Sequence, residues 1–302
     1  MRSTKIGILK KGVIKLKKVK LTPEIYWVGG IDWDIRNFHG YSTNRGTTYN
    51  SYLIKDKKIT LIDTVKHYLF DEMISRIKEI IDPKKIDYII SNHVEMDHSG
   101  SLPKIHDIAP NAEIITSTRG EKGLNKHYKK NIDYKVVKSG ETIEIGKRTL
   151  HFVHIPMVHW PDSMVTYSPY DKILFPNDAF GQHIASSERF DNQIDWGILK
   201  EEAAKYYANI VMPYGNQVKK ALDSLTSLKI EMMAPSHGII WKKKIPDILK
   251  EYKKWANYRT EKKALIVYDT MWKSTEKLAY KLSEGLEEIH IPTTIRNLKY
   301  KL

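Results

Sequence analysis

The sequence predicts an α/β protein in two parts, a layered domain over residues 1–260 and a shorter βαβ segment over residues 264–302. Alternating apolar runs between residues 25 and 62 are typical of antiparallel strands with one buried face. Apolar runs without polar alternation, such as 87–91, are separated by helical patterns, which favours strands covered on both faces. The charged stretch 261–263 lies between a helical pattern and a new buried-strand pattern, so we place the domain boundary there.

The spacing of apolar residues predicts the individual elements of the large domain. Strands are predicted over 25–28, 50–54 and 58–62, and a helix over 69–81, because its apolar residues recur at helical spacing before Pro83. The remaining elements are strands over 87–91, 113–116, 134–137, 142–145, 149–154, 164–167 and 172–175, helices over 99–108, 119–128, 196–211, 218–228 and 246–260, and a short apolar segment at 232–235. In the segment after the boundary we expect a strand over 264–268, a helix over 275–288 and a second strand.

The composition excludes several classes of protein. The chain has no cysteine, which rules out disulfides, thiolate-bound zinc, iron–sulfur clusters and a cysteine nucleophile. No apolar stretch is long enough to span a membrane, and the N-terminal residues lack the apolar block of a secretory signal. We therefore expect a cytoplasmic protein that binds any metal through histidine and carboxylate.

The chain carries a formal net charge of +14, which is enough to attract nucleic acid, anionic membranes, or acidic substrates and protein partners. The charge alone does not choose among these partners. Much of it comes from lysines spread along the chain, often beside isoleucine and glutamate, and such a composition is also typical of a thermophile's solvated surface.

Four potential metal ligands fall within six residues directly after the strand predicted at 87–91: His93, Glu95, Asp97 and His98. A single histidine in such a loop is more often a hydrogen-bonded core residue, and a single carboxylate is more often a solvated charge or a helix cap. Mixed imidazole and carboxylate groups at this density are instead able to converge on one or two metal ions. His159, Asp178 and His237 each follow a later strand-like run, so the complete set predicts a binuclear site at one end of the fold.

This pattern resembles the metallo-β-lactamase superfamily and, more narrowly, the flavodiiron (A-type flavoprotein) family. The resemblance rests on residues 33–41, 46–54, 93–98, 159–164 and 177–183, and it extends over most of residues 20–302. It implies an α/β fold with a metallo-β-lactamase-like αββα sandwich, followed by an incomplete flavodoxin-like βαβ segment. In the zinc hydrolases of the superfamily, the position of Glu95 is normally histidine, and an anionic oxygen ligand there suits iron that cycles between ferrous and ferric states.

The resemblance also implies a role for each ligand. His93, Glu95 and His159 would bind one iron, Asp97 and His237 would bind the other, and Asp178 would bridge both. His98 would either bind the second iron or stand aside for solvent.

The loop after the strand predicted at 264–268 resembles the phosphate loop of a flavodoxin. Hydroxyls and backbone N–H groups at a helix N-terminus hold the FMN phosphate in such a loop, although a serine or threonine there is most often a plain helix cap. The residues concerned are Thr270, Met271, Trp272, Lys273, Ser274 and Thr275. A complete flavodoxin-like domain has five strands, so the sequence is compatible with an artificially shortened chain, a natural truncation or one piece of a two-chain enzyme.

The family resemblance implies reduction of dioxygen to water, or of nitric oxide to nitrous oxide, at a diiron centre supplied with electrons by FMN. A head-to-tail homodimer or tetramer is expected, as is a donor such as rubredoxin, another reductase or reduced deazaflavin, with no nucleic-acid or membrane partner. Two alternatives remain open from the residues: a metal-dependent hydrolase or nuclease of the same fold, and a catalytically idle binding protein.

Overall fold

The computed structural model describes residues 17–130 and 132–300. The first sixteen residues of the predicted 1–260 domain and the last two of the predicted 264–302 segment lie outside the described residues. The chain divides into two compact units, which separate between Asn257 and Tyr258. None of the helices in the described part is long and apolar enough to cross a membrane.

The strands are β1 (Val19–Lys20), β2 (Ile25–Trp27), β3 (Gly30–Asp32), β4 (Asn37–Phe38), β5 (Tyr41–Ser42), β6 (Thr47–Tyr49), β7 (Tyr52–Ile54), β8 (Thr60–Ile62), β9 (Tyr88–Ser91), β10 (Glu113–Ser117), β11 (Tyr134–Val137), β12 (Thr142–Glu144), β13 (Thr149–His154), β14 (Met164–Ser168), β15 (Ile173–Phe175), β16 (Met232–Met233), β17 (Ala264–Tyr268) and β18 (Thr293–Asn297). The α-helices are α1 (Phe70–Lys78), α2 (Met96–Ser99), α3 (Leu102–Ile108), α4 (Thr118–Tyr128), α5 (Trp196–Tyr206), α6 (Gly215–Leu225), α7 (Ile245–Ala256) and α8 (Ser274–Glu288).

Two sheets form the centre of the first unit. One has the strand order β1-β2-β7-β8-β9-β10-β11, and the other has the order β12-β13-β14-β15-β16. One apolar cluster fills the space between the sheets, a second joins the first sheet to α1, α3 and α4, and a third joins the second sheet to α5, α6 and α7. This arrangement confirms the predicted αββα sandwich.

The alternation of side chains along each strand produces these layers. Leu53 packs under the helices while its neighbours Tyr52 and Ile54 face the other sheet, and Ile89 and Ile90 divide in the same way. Each such fully buried aliphatic side chain stabilises the fold by roughly 1.5–3 kcal/mol relative to its exposed state. Strands buried on both faces therefore lack polar alternation, as the run at 87–91 does.

Strand direction places the candidate ligands at one edge. β15 pairs with β16 in parallel, and β13 runs in the same direction as β15 because each is antiparallel to β14. The loops that follow β13, β15 and β16 carry His159, Asp178 and His237 respectively. Loops at the carboxyl ends of parallel strands meet at the same edge of a sheet.

Two predicted helices differ from the structure in their bounds. The helix predicted over 99–108 is present as α3 but begins at Leu102, because the separate short helix α2 ends at Ser99; at Gly100, just after α2, a Cβ atom would collide with the carbonyl oxygen of Met96. The helix predicted over 196–211 is α-helical only to Tyr206 and then widens into a π-helical turn over Tyr207–Val211.

The second unit contains a strand, a helix and a strand. β17 and β18 pair in parallel, with α8 as the connection between them, as the sequence predicted. Leu265 and Val267 of β17 are 63% and 51% exposed.

Candidate metal centre

The first four candidate ligands are positioned by the junction of β9 and α2. β9 ends at Ser91, and Glu95 is the residue that precedes α2, so Asp97 and His98 lie in the single turn of that helix. His93, Asp97 and His98 are buried, whereas the Glu95 side chain is 22% exposed.

One group of ligand atoms consists of His93, Glu95, His159 and Asp178, all within 4.8 Å of one another. Oε2 of Glu95 lies 3.3 Å from Nε2 of His93 and 3.3 Å from Nε2 of His159. Oδ2 of Asp178 completes the group at 3.2 Å from Nε2 of His159. Two imidazoles and two carboxylates therefore face a common point.

The second group shares Asp178 with the first. Oδ1 of Asp178 lies 2.9 Å from Nε2 of His98 and 3.5 Å from Nε2 of His237. Oδ2 of Asp97 lies 3.1 Å from Nε2 of His98 and 3.0 Å from Nε2 of His237. The structure thus brings all seven predicted residues together, His98 included, and turns one oxygen of Asp178 toward each group.

The chemistry of these atoms fits metal ions. Both carboxylate oxygens of Asp97 and of Asp178 are buried without a hydrogen-bond partner, as is Nε2 of His98, His159 and His237. Buried polar atoms are costly unless they are satisfied, and a cluster of lone-pair donors is satisfied by cations. The residues present therefore fit a binuclear centre.

The pKa values show how the charges balance in this cluster. Burial alone lowers the pKa of His93, but the carboxylates of Asp162 and Glu95 raise it to about 10. Burial alone raises the pKa of Asp178, but the positive charges of His98 and His159 hold it well below its usual range. Protons on His93, His98 and His159 thus balance the carboxylates, whereas burial lowers the pKa of His237; metal binding would release those protons.

Further contacts orient the imidazoles. Nδ1 of His93 lies 2.9 Å from Oδ2 of Asp162, which also accepts a hydrogen bond of 2.8 Å from the backbone N–H of Val94. Nδ1 of His237 lies 2.7 Å from the carbonyl oxygen of Thr48. Both contacts turn the Nε2 atom toward the cluster, which is the usual arrangement around metal-binding histidines.

Sequence reasoning did not assign a role to three residues near the cluster. Asp162 follows His159 by three positions, and that short spacing was the available signal. His39, on the turn between β4 and β5, and His183, after β15, lie against the cluster through contacts between distant parts of the chain.

In the second unit, the predicted phosphate-loop residues lie between β17 and α8 and in the first turn of α8. An open cavity of about 310 Å³ is lined by Asp269, Thr270, Met271, Thr275 and Lys299. Trp272 is 85% exposed beside it. Hydroxyl groups and a helix N-terminus at one cavity fit a phosphate group.

Comparisons with known proteins agree with this geometry. The model of one protein family, described as ODP family beta lactamase, matches residues 47–238. A nitric oxide reductase of Moorella thermoacetica is 50% identical over 273 residues, which are 89% of this chain and 68% of that protein. A rubredoxin-oxygen oxidoreductase of Megalodesulfovibrio gigas is 42% identical over 279 residues, which are 90% of this chain and 69% of that protein. The crystal structure of the flavodiiron protein from Giardia intestinalis superposes with a TM-score of 0.91 at 35% identity, covering 94% of this chain and 70% of that one.

An αββα sandwich with two ligand groups that share one aspartate defines a candidate binuclear metalloprotein of the metallo-β-lactamase fold. Within that class, the chain belongs to the flavodiiron protein family.

Proposed function

We propose that this chain is a flavodiiron oxidoreductase, which reduces dioxygen to water or nitric oxide to nitrous oxide with electrons delivered through FMN. The observation that carries the proposal is Asp178, whose two oxygens face two separate groups of imidazoles and carboxylates. In the family to which the chain belongs, such a centre holds two irons.

Each candidate ligand has a distinct role in the proposed site. His93, Glu95 and His159 would hold one iron, Asp97, His98 and His237 would hold the other, and Asp178, with one oxygen toward each group, would serve both. Two ferrous ions held there would supply two electrons together, and reduced flavin would supply the two more that full reduction of dioxygen to water requires. Burial of most of the surrounding side chains limits the access of water to the cluster.

Glu95 supports iron rather than zinc. Its anionic oxygen stands where zinc hydrolases of the superfamily normally have a histidine, and it stabilises the higher charge of ferric iron. The relatives described above are named as oxidoreductases, so the hydrolase or nuclease alternative has no support from them.

The second unit would bind FMN by its phosphate. Thr270, Ser274 and Thr275 supply hydroxyls at the N-terminus of α8, and Lys299 supplies a positive charge at the same cavity. The neighbouring residues Met271, Trp272 and Lys273 belong to the same proposed loop.

Partners follow from charge and from the family. One relative is named for rubredoxin, and rubredoxin, another reductase or reduced deazaflavin would serve as the electron donor. The net charge of +14 would speed encounter with an acidic donor. A head-to-tail homodimer or tetramer in the cytoplasm would place the flavin of one subunit beside the irons of another.

The test is metal analysis combined with gas reduction. Protein purified without air is expected to carry close to two irons per chain and, with reduced FMN and a chemical reductant, to consume nitric oxide or dioxygen. The proposal would be contradicted if the zinc form of the protein catalysed hydrolysis and the iron-reconstituted form reduced neither gas.

A further inference from the structure

A buried chain of polar contacts leads from β6 to Glu95. Oγ1 of Thr47 lies 2.7 Å from Nδ1 of His183, and Nε2 of His183 lies 3.2 Å from Nδ1 of His39. Nε2 of His39 then lies 3.6 Å from Oε1 of Glu95. Thr47 and His183 are fully buried, and Nε2 of His39 is a buried atom with no hydrogen-bond partner among the described residues.

The direction of the first hydrogen bond follows from the acceptors around Thr47. Its hydroxyl has one proton and two oxygen or nitrogen acceptors in reach, Nδ1 of His183 at 2.7 Å and the carbonyl oxygen of Thr48 at 3.3 Å. Oγ1 of Thr47 is closer to Nδ1 of His183 than to the carbonyl oxygen of Thr48, so we assign the proton of Thr47 to the contact with His183.

The rest of the chain follows from that choice. When Nδ1 of His183 accepts, a neutral ring carries its proton on Nε2 and donates it to Nδ1 of His39. His39 must then carry its own proton on Nε2, which is the nitrogen directed toward Glu95. The ring of Phe38 stacks on that of His39 at 4.0 Å between centroids and limits its rotation.

We propose that Thr47 and His183 are positioning residues, which hold His39 as the tautomer that directs an N–H group at Oε1 of Glu95. The proposal rests on the metal site of the proposed function. Oε2 of Glu95 lies with His93 and His159, so Oε1 is the carboxylate oxygen that does not face that group. An N–H group directed at Oε1 from 3.6 Å favours one orientation of the carboxylate and leaves Oε2 free to bind a metal.

The decisive measurement is the tautomer of each histidine in the whole chain loaded with zinc, which is diamagnetic. Two-bond ¹H–¹⁵N correlation spectra of ¹⁵N-histidine protein are expected to show both His39 and His183 protonated on Nε2, with Nδ1 bare. A proton on Nδ1 of His39 would overturn the proposal, and this measurement requires no variant.

Two variants separate positioning from plain stability. Thr47→Val removes the hydroxyl at nearly constant volume, whereas Thr47→Ser keeps it. We expect His39 in Thr47→Val to populate both tautomers. Zinc binding at the group containing Glu95 should weaken about 10- to 100-fold. The NMR signals of His93 and His159 during chelator competition report the zinc affinity of that group. Thr47→Ser should resemble the original protein in both respects.

The proposal would be overturned if Thr47→Val kept the zinc affinity and the His39 tautomer of the original protein and differed only in a lower melting temperature. The chain of contacts would then be purely structural. Both readouts use zinc, so they are independent of gas reduction. Failure of the iron form to reduce gas would therefore count against the proposed function without affecting this result.

Discussion

Asp178 offers the sharpest test of the proposed metal centre, because its two oxygens face different groups of ligands. Oδ2 lies with His93 and His159, and Oδ1 lies 2.9 Å from Nε2 of His98. Replacement of Asp178 by alanine should therefore remove a ligand and a negative charge from both ions. Replacement of His98 by alanine should remove one neutral ligand from one ion, and water is able to take its place.

The expected magnitudes differ accordingly. Removal of one partner from a buried ionic cluster costs about 3–5 kcal/mol, which corresponds to roughly a hundred- to several thousand-fold weaker binding, and for Asp178 this applies to each ion. Loss of a single neutral contact at His98 costs about 1–3 kcal/mol and concerns one ion. Asp178→Ala should thus lose both metals under conditions in which His98→Ala retains at least the metal at the His93 group.

The assay is metal content after dialysis against a graded series of chelator concentrations. Asp107→Ala is a suitable control, because the Asp107 side chain is 64% exposed and pairs with the 40% exposed Lys130 at the surface. Asp178→Asn, which keeps the shape and removes the charge, should fall between the alanine variant and the original protein. Loss of both metals by His98→Ala, with retention by Asp178→Ala, would refute the assigned roles.

Four further outcomes are expected. Asp162→Asn should weaken metal binding at His93 about 10- to 100-fold in chelator competition, because the residue orients that imidazole at 2.9 Å; unchanged affinity would contradict this. Arg148→Leu should lower the free energy of unfolding by about 3–5 kcal/mol in urea titrations, because it leaves Asp56 and Asp171 unpaired in a buried position. The control Lys135→Leu breaks an exposed ion pair with Glu113 and should lower the free energy of unfolding by less than about 1 kcal/mol. Burial raises the pKa of Asp56, but the contacts with Arg148 and with backbone N–H groups together lower it by more, so the pKa of Asp56 is lower in the folded than in the unfolded protein. The stabilisation by this pair is therefore present above the unfolded pKa of Asp56 and is lost as the pH falls through the folded pKa. Arg148→Leu should accordingly be less sensitive to acid than the original protein, and equal acid sensitivity would contradict this prediction. FMN should bind the 302-residue chain weakly, because the proposed phosphate loop is largely uncovered, with Trp272 85% exposed. Fluorescence titration should show tighter binding once a polypeptide with further flavodoxin strands is added. Tight binding without that polypeptide would contradict this expectation.

The sequence alone was sufficient for the layered α/β fold and for the set of candidate ligands. Strands buried on both faces appear as short apolar runs, and β9 was predicted to within one residue for that reason. His93, Glu95, Asp97 and His98 are close in the sequence, and the later ligands follow recognisable strands. Local periodicity and loop position are properties that neighbouring residues determine, so they are readable without a structure.

Only the tertiary structure decided how these groups are arranged. The division of the two Asp178 oxygens between two groups, the placement of His98 beside Asp178, and the contact of Asp162 with His93 all depend on packing between distant loops. His39, on the turn between β4 and β5, and His183, in the loop after β15, are separated by 144 positions and lie outside the strands, where no periodic pattern signals their contact. Such contacts are set by the sum of many packing interactions across the two sheets, and no local pattern in the chain encodes them.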